Sequence, residues 1–503
     1  MGVSLRNHAS FVRSRSLLFP ATVLFSLCFF TALIIFKVDE FVTNTKTVVG
    51  HNLDPTPWHP FPPKDLNAGS RYDTASKIIQ CSYLTCRRTN NIDVSVLEKN
   101  TSTHQNINSG TKCPSFFRWI HHDLEPWSKS KISMDNLMEA QKSAAFRVVI
   151  VGGKLYVDFY YDCVQGRTLF TIWGFLQLLK RYPGMIPDVD IMFDCMDKPF
   201  VNRSEYGPET KWPPPPLFRY CTTSGHFDIP FPDWSFWGWV ETNIQPWDEE
   251  FRDIKQGSQA VSWEKKLPRA YWKGNVEVLS PVRTELQRCN HSRKWGAQIM
   301  RQNWFEEAKA GYEQSKLANQ CKYRYKIYAE GYAWSVSLKY IVSCGSTSLI
   351  ISPQYEDFLS RGLVPTQNYW PVSLSPDLCR SIKFAVDWGN ANPVLAEGIG
   401  KRGQDLMEQI SMDRVYDYMY HLIKEYSKLQ DFKPSPPSSA QEVCMDSLLC
   451  FADTKQKDFL QRSTASPSSS PPCILPPANM DVIKSFIEKK NRIISDIQMS
   501  EKT

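Results

Sequence analysis

Asp197 ends the strand-like run IMFDCMD, directly before Lys198-Pro199. In an α/β sheet, the carboxyl end of a strand is where side chains reach the ligand crevice. A carboxylate at that position can act as a general base that takes a proton from an attacking hydroxyl group. The same position also suits a residue that caps a turn before proline, and Asp194 is a neighbouring candidate for either role.

Cationic and hydroxyl side chains are concentrated in two later stretches. Lys273-Gly274-Asn275 follows the strand-like RAYW, with Arg283 in the next predicted helix, and Ser335-Val336-Ser337 begins a helix that carries Lys339. Such groups can stabilise negative charge that develops on a phosphate-containing leaving group. Because they are also common on solvated surfaces, a binding site and a basic surface both stay open.

Two further motifs offer chemistry at lower specificity. The aromatic block PDWSFWGW contains Trp234, Phe236 and Trp237, whose rings could form a platform for a ligand or could belong to the core. Asp188-Val-Asp190 has the spacing of a metal-binding D-x-D motif, although it opens a predicted strand directly after a proline turn.

The order of elements around these motifs favours an α/β fold. From Cys113 to about Leu429, apolar strand-like runs alternate with helical stretches, which is typical of parallel sheets. We predict an N-terminal half over residues 113–267, a C-terminal half over 268–430 and a cleft between them, where a nucleotide-linked ligand would bind. Residues 431–503 include KPSPPSSA and STASPSSSPP, a composition that predicts a low-complexity tail.

The N-terminus carries an apolar run that predicts a membrane anchor. Residues 17–36, LLFPATVLFSLCFFTALIIF, contain no charged residue and as a helix would cross a hydrocarbon core of ~30 Å. Arg6, Arg13 and Arg15 precede this run, whereas Asp39 and Glu40 follow it, so the arginine bias predicts a cytoplasmic segment over 1–16 and a type II orientation. A cleaved signal peptide is the alternative, and residues 37–112 read as a stem outside the membrane.

Cysteines and sequons predict an oxidising lumen. Fourteen cysteines mostly lack the paired spacing of metal ligands, so disulfides account for them better. Cys28 lies inside the apolar run, which leaves an odd number for pairing, and we expect Cys81 and Cys86 to close a small loop. Asn100, Asn202 and Asn290 each begin an N-x-S/T glycosylation sequon. The net charge of +7 is too mild to indicate nucleic acid as a partner.

The segment 323–372, YRYKIYAEGYAWSVSLKYIVSCG and its continuation, closely resembles the signature region of the Rumi-type protein O-glucosyltransferases. This is glycosyltransferase family 90, and the resemblance is nearest to its plant members. It extends upstream through AYWKGN, PDWSFWGW and IMFDCMDKP and covers about residues 113–430. Several separated blocks in the same order make the resemblance more specific than any single motif.

The resemblance implies a fold, a reaction and a set of site residues. The fold would be of GT-B type, with two Rossmann-like domains facing a cleft, here joined to the N-terminal transmembrane helix. The reaction would be the inverting transfer of glucose or xylose from UDP-glucose or UDP-xylose, without a required metal or other cofactor. Asp197 matches the catalytic Asp of the family. The donor-binding positions are Lys273, Gly274, Asn275, Arg283, Ser335, Val336, Ser337, Lys339 and Asp357.

Three features refine what the resemblance implies. Ser337 stands where the animal enzymes have an arginine, so Lys339 or Arg269 would have to replace that cation. Asp357 could hold a ribose hydroxyl or cap a helix. Cys321 and Cys344 coincide with a family disulfide, and the rings of Trp234, Phe236 and Trp237 would contact the acceptor.

The sequence leaves the acceptor, the compartment and two rival functions open. The acceptor hydroxyl would belong to a lumenal protein or to a polysaccharide. The Golgi membrane is the expected location, with the endoplasmic reticulum as the alternative. One rival is a metal-dependent GT-A glycosyltransferase that uses Asp188 and Asp190. The other is an inactive lectin-like module, which the missing arginine would favour.

Overall fold

Gly152 and Gly153 form the turn between the first two strands, with φ of 58° and 75°. Positive φ at both central residues is what a tight hairpin requires and what glycine adopts without steric cost. The runs FRVVIV and KLYVDF therefore pair antiparallel, with Val151 opposite Lys154 and Phe146 opposite Phe159. The computed structural model describes Cys81, Cys86 and residues 111–161, 163–207 and 212–502.

The strands of the described chain form two sheets. Their bounds are β1 Phe146–Val151, β2 Lys154–Phe159, β3 Val189–Phe193, β4 Leu217–Arg219, β5 Ile229–Pro230, β6 Leu267–Gly274, β7 Ala297–Arg301, β8 Tyr323–Tyr328, β9 Thr347–Ile351, β10 Trp370–Val372 and β11 Gln441–Val443. The first sheet has the order β11-β2-β1-β3-β4-β5 and the second the order β10-β9-β8-β6-β7.

Helices connect and cover these strands. Their bounds are α1 Trp119–Leu124, α2 Met134–Ala140, α3 Arg167–Arg181, α4 Trp247–Gln259, α5 Pro281–Gln287, α6 Trp304–Lys309, α7 Ser337–Val342, α8 Leu378–Ala391, α9 Pro393–Glu408, α10 Met412–Ser427, α11 Met445–Phe451, α12 Thr454–Arg462 and α13 Met480–Ser500. Most residues of helix α3 are buried, and its apolar side chains pack in the core of the N-terminal half. Helix α10 also returns to that half, because Val415, Tyr418 and Leu422 pack in its hydrophobic core.

The two sheets differ in strand direction, which corrects the predicted fold class. In the second sheet every pair is parallel, as the sequence predicts. The first sheet is mixed, since β1 pairs antiparallel with β2 and β3, and β2 antiparallel with β11, while β3, β4 and β5 are parallel. The prediction of two Rossmann-like domains is therefore wrong for the N-terminal half, and the fold is mixed α/β.

The transmembrane part of the predicted fold class is also not found. No helix within the described residues is both long and apolar enough to cross a membrane. Segments 1–16 and 17–36 and most of the predicted stem lie outside the described residues. The fold therefore comprises two sheets and their helices, without a membrane-spanning helix in the part of the chain that the structure describes.

The C-terminal segment is folded, so the prediction of a low-complexity tail over 431–503 is wrong. Strand β11 adds to the edge of the first sheet through pairs such as Gln441 with Val157. On α13, Ile483 is buried in the first core and Ile497 packs against the second. The Ser/Pro-rich composition misled because β11, α11 and α12 lie between the two Ser/Pro-rich stretches and α13 follows the second.

Six disulfides tie the described chain together. The pairs are Cys81–Cys450, Cys86–Cys444, Cys113–Cys473, Cys163–Cys195, Cys289–Cys379 and Cys321–Cys344. The expected Cys321–Cys344 bridge is confirmed, whereas the expected small loop between Cys81 and Cys86 is wrong because both pair with the C-terminal segment. Among the described cysteines, Cys221 is free and buried.

Candidate active site

Asp197 lies on the loop after β3, at the carboxyl end of that strand, with its side chain 33% exposed. The guanidinium of Arg167, the first residue of α3, donates from Nη1 to Asp197 Oδ1 at 2.8 Å and to the carbonyl oxygen of Cys195 at 2.9 Å. Arg167 also lies over the ring of Trp234, 4.4 Å from its centroid. Among the described residues Oδ2 of Asp197 has no hydrogen-bond partner, so that oxygen is free to accept a proton.

The neighbouring Asp194 has a structural role. Its side chain is buried and forms an ion pair with Arg219, and it accepts a hydrogen bond from the Tyr161 hydroxyl. Arg219 also pairs with the buried Asp228 at 3.0 Å. These contacts occupy the buried Asp194 carboxylate. Asp197, whose side chain is partly exposed, is therefore the better placed of the two candidate bases.

Arg283 is the centre of a polar cluster at the carboxyl end of the second sheet. Its Nη1 donates to the carbonyl oxygen of Asn275 at 2.8 Å, and its Nη2 lies 3.4 Å from Ser335 Oγ. Ser335 Oγ in turn lies 2.8 Å from Ser337 Oγ. Burial lowers the pKa of Arg283 to about 10, so its side chain stays cationic at neutral pH. The structure thus brings together Asn275, Arg283, Ser335 and Ser337.

The two predicted lysines are engaged in ion pairs. Lys273 forms an ion pair with Glu307 and donates to the carbonyl oxygen of Gln314 at 2.9 Å. Lys339 is 1% exposed and pairs with Asp233 at 2.9 Å, while it donates to Ser235 at 2.7 Å. Both cations are paired with carboxylates, and their place beside the leaving group stays a prediction.

Arg269 does not supply the missing cation either, because it lies near the start of β6, at the opposite end of that strand from Asn275. Of the cationic side chains predicted for the site, the guanidinium of Arg283 is the one that lies next to Ser335.

The remaining predicted donor residues have local roles. A Cβ at Gly274 would lie 2.5 Å from the Trp272 ring, which explains glycine there. Val336 precedes α7 and is partly buried against the core. Asp357 is 6% exposed and caps the following turn, because it accepts from the backbone N–H of Ser360 at 2.7 Å. Burial raises the pKa of Asp357 to about 6. Its hydrogen bond with Ser360 supports the alternative that Asp357 is a cap residue.

Cys221 connects the Asp197 loop to the Arg283 cluster. Its Sγ donates to the carbonyl oxygen of Asp197 at 3.2 Å, and burial raises the pKa of this thiol well above its ordinary value. The same thiol has a hydrogen bond with the backbone of Trp334, which directly precedes Ser335. The candidate base and the candidate anion-binding residues are therefore separated by one side chain and one peptide unit.

Sequence reasoning missed Arg167, Cys221 and Glu330. Glu330 is 4% exposed and accepts from the backbone N–H groups of Gln354 and Tyr355 at 2.9–3.1 Å. Burial raises its pKa to about 7. Its position directly beyond β8 was a usable signal, since polar residues at strand carboxyl ends line α/β crevices. Arg167 and Cys221 gave no such signal.

The predicted acceptor platform is wrong. Trp234, Phe236 and Trp237 are at most 1% exposed and belong to the first core. Trp237 donates from Nε1 to the Tyr416 hydroxyl at 3.0 Å, as a core indole does. Large aromatic side chains bury much apolar area, and here that burial determined where the block lies.

Both aspartates of the D-x-D motif make structural contacts. Asp190 is fully buried and accepts from both Nε and Nη2 of Arg147, at 2.7 and 2.5 Å. Asp188 accepts from the backbone N–H of Gly152 at 2.8 Å. Asp188 directly precedes β3 and Asp190 is the second residue of that strand. Both lie at the opposite end of β3 from Asp197, so they do not join the candidate site.

Two of the three sequons lie in the described chain. Asn202 accepts from the backbone N–H of Ser204 at 3.0 Å and is partly buried. Asn290 is exposed, and its Oδ1 accepts from the backbone N–H of Ile299 at 2.9 Å. Asn100 lies outside the described residues. Modification of any of the three stays a prediction.

The fold is mixed α/β, and a candidate base is linked through Cys221 to a candidate anion-binding cluster. A family profile, Glycosyl transferase family 90, matches residues 108–501. The chain therefore belongs to that family and is a glycosyltransferase of the Rumi type.

Curated relatives agree with this assignment. The chain is 26% identical over 345 residues to Protein O-glucosyltransferase 1 of Rattus norvegicus, covering 64% of this chain and 82% of that protein. It is 24% identical over 339 residues to O-glucosyltransferase rumi of Drosophila melanogaster, covering 64% and 79%. A sucrose-phosphate synthase from Thermosynechococcus elongatus aligns at 10% identity and a TM-score of 0.25 over 34% of this chain and 48% of that one, too low a similarity to inform the fold.

Proposed function

We propose that this chain transfers glucose or xylose from a UDP-sugar to a hydroxyl group of a lumenal protein or glycan, with inversion at the anomeric carbon. The observation that carries the proposal is the short path from Asp197 through Cys221 and Trp334 to Ser335 and Arg283. The relatives described above are protein O-glucosyltransferases, which supports a glucosyl donor and a protein acceptor.

In the proposed reaction Asp197 acts as the general base. Its Oδ2 takes the proton of the acceptor hydroxyl as that oxygen forms a bond to the anomeric carbon. The bond from the anomeric carbon to the β-phosphate oxygen breaks, and UDP leaves with that electron pair. The proton on Asp197 then passes to solvent. Arg167 orients the carboxylate by holding Oδ1, which directs Oδ2 toward the acceptor.

The leaving diphosphate gains negative charge, and the Arg283 cluster is the proposed group that stabilises it. A guanidinium presents several fixed N–H donors and stays charged, and the hydroxyls of Ser335 and Ser337 add further donors. With these residues in place we propose that no metal or other cofactor is required.

We propose that the reaction takes place in the lumen of the secretory pathway, with the Golgi favoured over the endoplasmic reticulum. Six disulfides in the described chain support an oxidising compartment. Fluorescence microscopy of the tagged full-length chain beside Golgi and endoplasmic reticulum markers tests this location.

UDP release by the purified full-length chain tests the function. We expect release from UDP-glucose or UDP-xylose in a donor panel, with full activity in EDTA. The variant Asp197→Asn should lose transfer but still bind UDP, whereas Asp188→Asn should behave as the wild type. Strict Mn²⁺ dependence, or loss of activity in Asp188→Asn, would favour the metal-dependent reading. Binding of UDP without hydrolysis or transfer would favour an inactive binding module.

A further inference from the structure

Lys198, the residue directly after the candidate base Asp197, carries an exposed cation. Within the part of the chain that the structure describes, no carboxylate forms an ion pair with it. Its ammonium lies instead over the ring of Tyr332, 4.1 Å from the centroid. Lys198 belongs to the loop after β3 of the first sheet, whereas Tyr332 belongs to the loop after β8 of the second sheet. The cation therefore reaches from the loop of the candidate base to the loop that leads to the serine cluster.

The backbone from which this side chain starts is well fixed. Arg219 donates to the carbonyl oxygen of Lys198 and forms an ion pair with the buried Asp228 at 3.0 Å. Asp228 in turn accepts from the backbone N–H of Phe200 at 2.9 Å. Because the backbone is already ordered on both sides of Pro199, binding of a ligand by Lys198 costs the entropy of one side chain rather than of a loop.

The Tyr332 end of the contact lies beside the Arg283 cluster. Tyr332 directly follows Gly331, where a Cβ would lie 3.3 Å from Nη2 of Arg283. Three residues further along the same loop is Ser335, whose Oγ lies 3.4 Å from that nitrogen. The loop that holds the Lys198 ammonium over its ring is thus the loop that packs on the Arg283 guanidinium.

The Arg283 cluster has cationic charge but few unused donors. Nη1 of Arg283 donates to the carbonyl oxygen of Asn275 at 2.8 Å, while Nε and Nη2 face the carbonyl oxygen of Ala329 at 3.4 and 3.3 Å. A leaving diphosphate carries more than one negative charge, so a second cation is needed to balance it. An ammonium presents three rotatable donors to phosphate oxygens, and the attraction of an exposed ring for it is weak enough for a phosphate to replace.

We infer that Lys198 binds the diphosphate of the UDP-sugar from the N-terminal half of the protein, as the second cation beside Arg283. This inference rests on the proposed function, which assigns the diphosphate to the Arg283 cluster. The Tyr332 ring keeps the ammonium beside that cluster. Since Asp197 and Lys198 are adjacent, the base and a ligand of the leaving group are then positioned by one loop.

Titration calorimetry of the full-length chain with UDP and with uridine tests the inference. For Lys198→Met we expect the affinity for UDP to fall roughly ten- to hundredfold, the range that loss of one charged contact implies. The affinity for uridine, which has no phosphate, should stay that of the wild type. Lys198→Arg keeps the positive charge and should retain most of the affinity for UDP.

Lys294→Met is the matched control. Lys294 is also exposed and lies over an aromatic ring, that of Trp295 at 4.5 Å. It precedes β7 and therefore lies at the opposite end of the second sheet from the Arg283 cluster. This variant should bind UDP and uridine as the wild type does.

The outcomes distinguish the inference from the function it rests on. Equal affinities for UDP in Lys198→Met and Lys294→Met would overturn the inference. An equal loss of affinity for UDP and uridine in Lys198→Met would also overturn it, because a lost phosphate contact cannot weaken uridine binding. In both cases transfer by the wild type would leave the glycosyltransferase function standing. A wild type that neither binds UDP nor transfers sugar would instead count against the proposed function.

Discussion

Arg167 holds Asp197 through the same guanidinium nitrogen that donates to the Cys195 carbonyl oxygen, at 2.8 and 2.9 Å. One side chain from the start of α3 thus fixes both the carboxylate of the candidate base and the backbone two residues before it. Stacking on Trp234 at 4.4 Å sets the plane of the guanidinium.

The first prediction concerns this positioning role. Arg167→Lys keeps the charge but loses the planar fork, so we expect kcat to fall roughly a hundredfold, the scale of a misplaced catalytic group. The KM for the UDP-sugar should change little. Steady-state kinetics and the thermal unfolding midpoint are the measurements.

The matched control is Arg203→Lys. Arg203 also lies over an aromatic ring, that of Phe227 at 4.1 Å, and donates to a backbone carbonyl at 3.0 Å, but it has no described contact with Asp197. If both variants showed the same kcat, Arg167 would have no specific role.

The second prediction concerns the leaving-group site. Arg283→Lys should weaken UDP binding by at least about tenfold, because an ammonium cannot reproduce the forked donors of a buried guanidinium. Isothermal titration with UDP measures the change. Arg288→Lys is the control, since Arg288 is exposed and pairs with Glu285 on the surface. Unchanged affinity in Arg283→Lys would remove Arg283 from the proposed site.

The third prediction concerns pH. Lys326 is 3% exposed and donates to Gln320 Oε1 at 2.6 Å, and burial, reinforced by the nearby Lys266 cation, lowers its pKa to about 7. The unfolded chain binds that proton up to the ordinary lysine pKa of 10.5, so between pH 7 and 10.5 the unfolded state holds more protons. This group therefore contributes stability above pH 10.5 that is lost as the pH falls to 7.

Lys326→Met tests that sign. The variant should be more stable than the wild type at pH 6, and its advantage should shrink by on the order of 2 kcal/mol between pH 7 and 9. Chemical denaturation at pH 6, 7, 8 and 9 measures the difference. Lys322→Met, at an exposed neighbouring position, should show no such trend. An advantage that grew with pH would contradict the burial argument.

The fourth prediction concerns the C-terminal helix. Ile483 is 3% exposed and Ile487, one turn later on α13, is 38% exposed. Ile483→Ala should cost about 2–4 kcal/mol of unfolding free energy, and Ile487→Ala well under half of that. Denaturation midpoints measured in parallel check the pair. Equal losses would mean that α13 does not pack on the first core as described.

Local patterns predicted most strands, because β1, β3 and β9 are apolar runs bounded by turn residues and β8 is rich in tyrosine. They did not predict the mixed first sheet. The Gly152-Gly153 pair was a hairpin signal that the alternation of strands and helices obscured. Pairing of β11 with β2 joins residues almost three hundred positions apart, and no local pattern encodes such a contact.

The site was predictable in part and for an identifiable reason. Asp197 follows β3 of the first sheet, and Arg283 and Ser335 follow β6 and β8 of the second sheet. Each lies beyond the carboxyl end of a strand, so its position carries a signal. The ion pair of Lys339 with Asp233 in the core could not be predicted, because a local pattern does not show which buried charges meet. Disulfide pairing was equally inaccessible apart from Cys321–Cys344, since many connectivities fit one set of cysteines.

The pairing of early cysteines with late ones sets an order of folding during synthesis. Cys81, Cys86 and Cys113 bond to Cys450, Cys444 and Cys473, and the edge of the first sheet is completed by β11 at residues 441–443. The N-terminal half therefore cannot reach its final form while the ribosome is still making the second sheet. The thiols of Cys81, Cys86 and Cys113 must wait for partners that are translated after the second sheet. These three bridges therefore close later than the bridges within each half can.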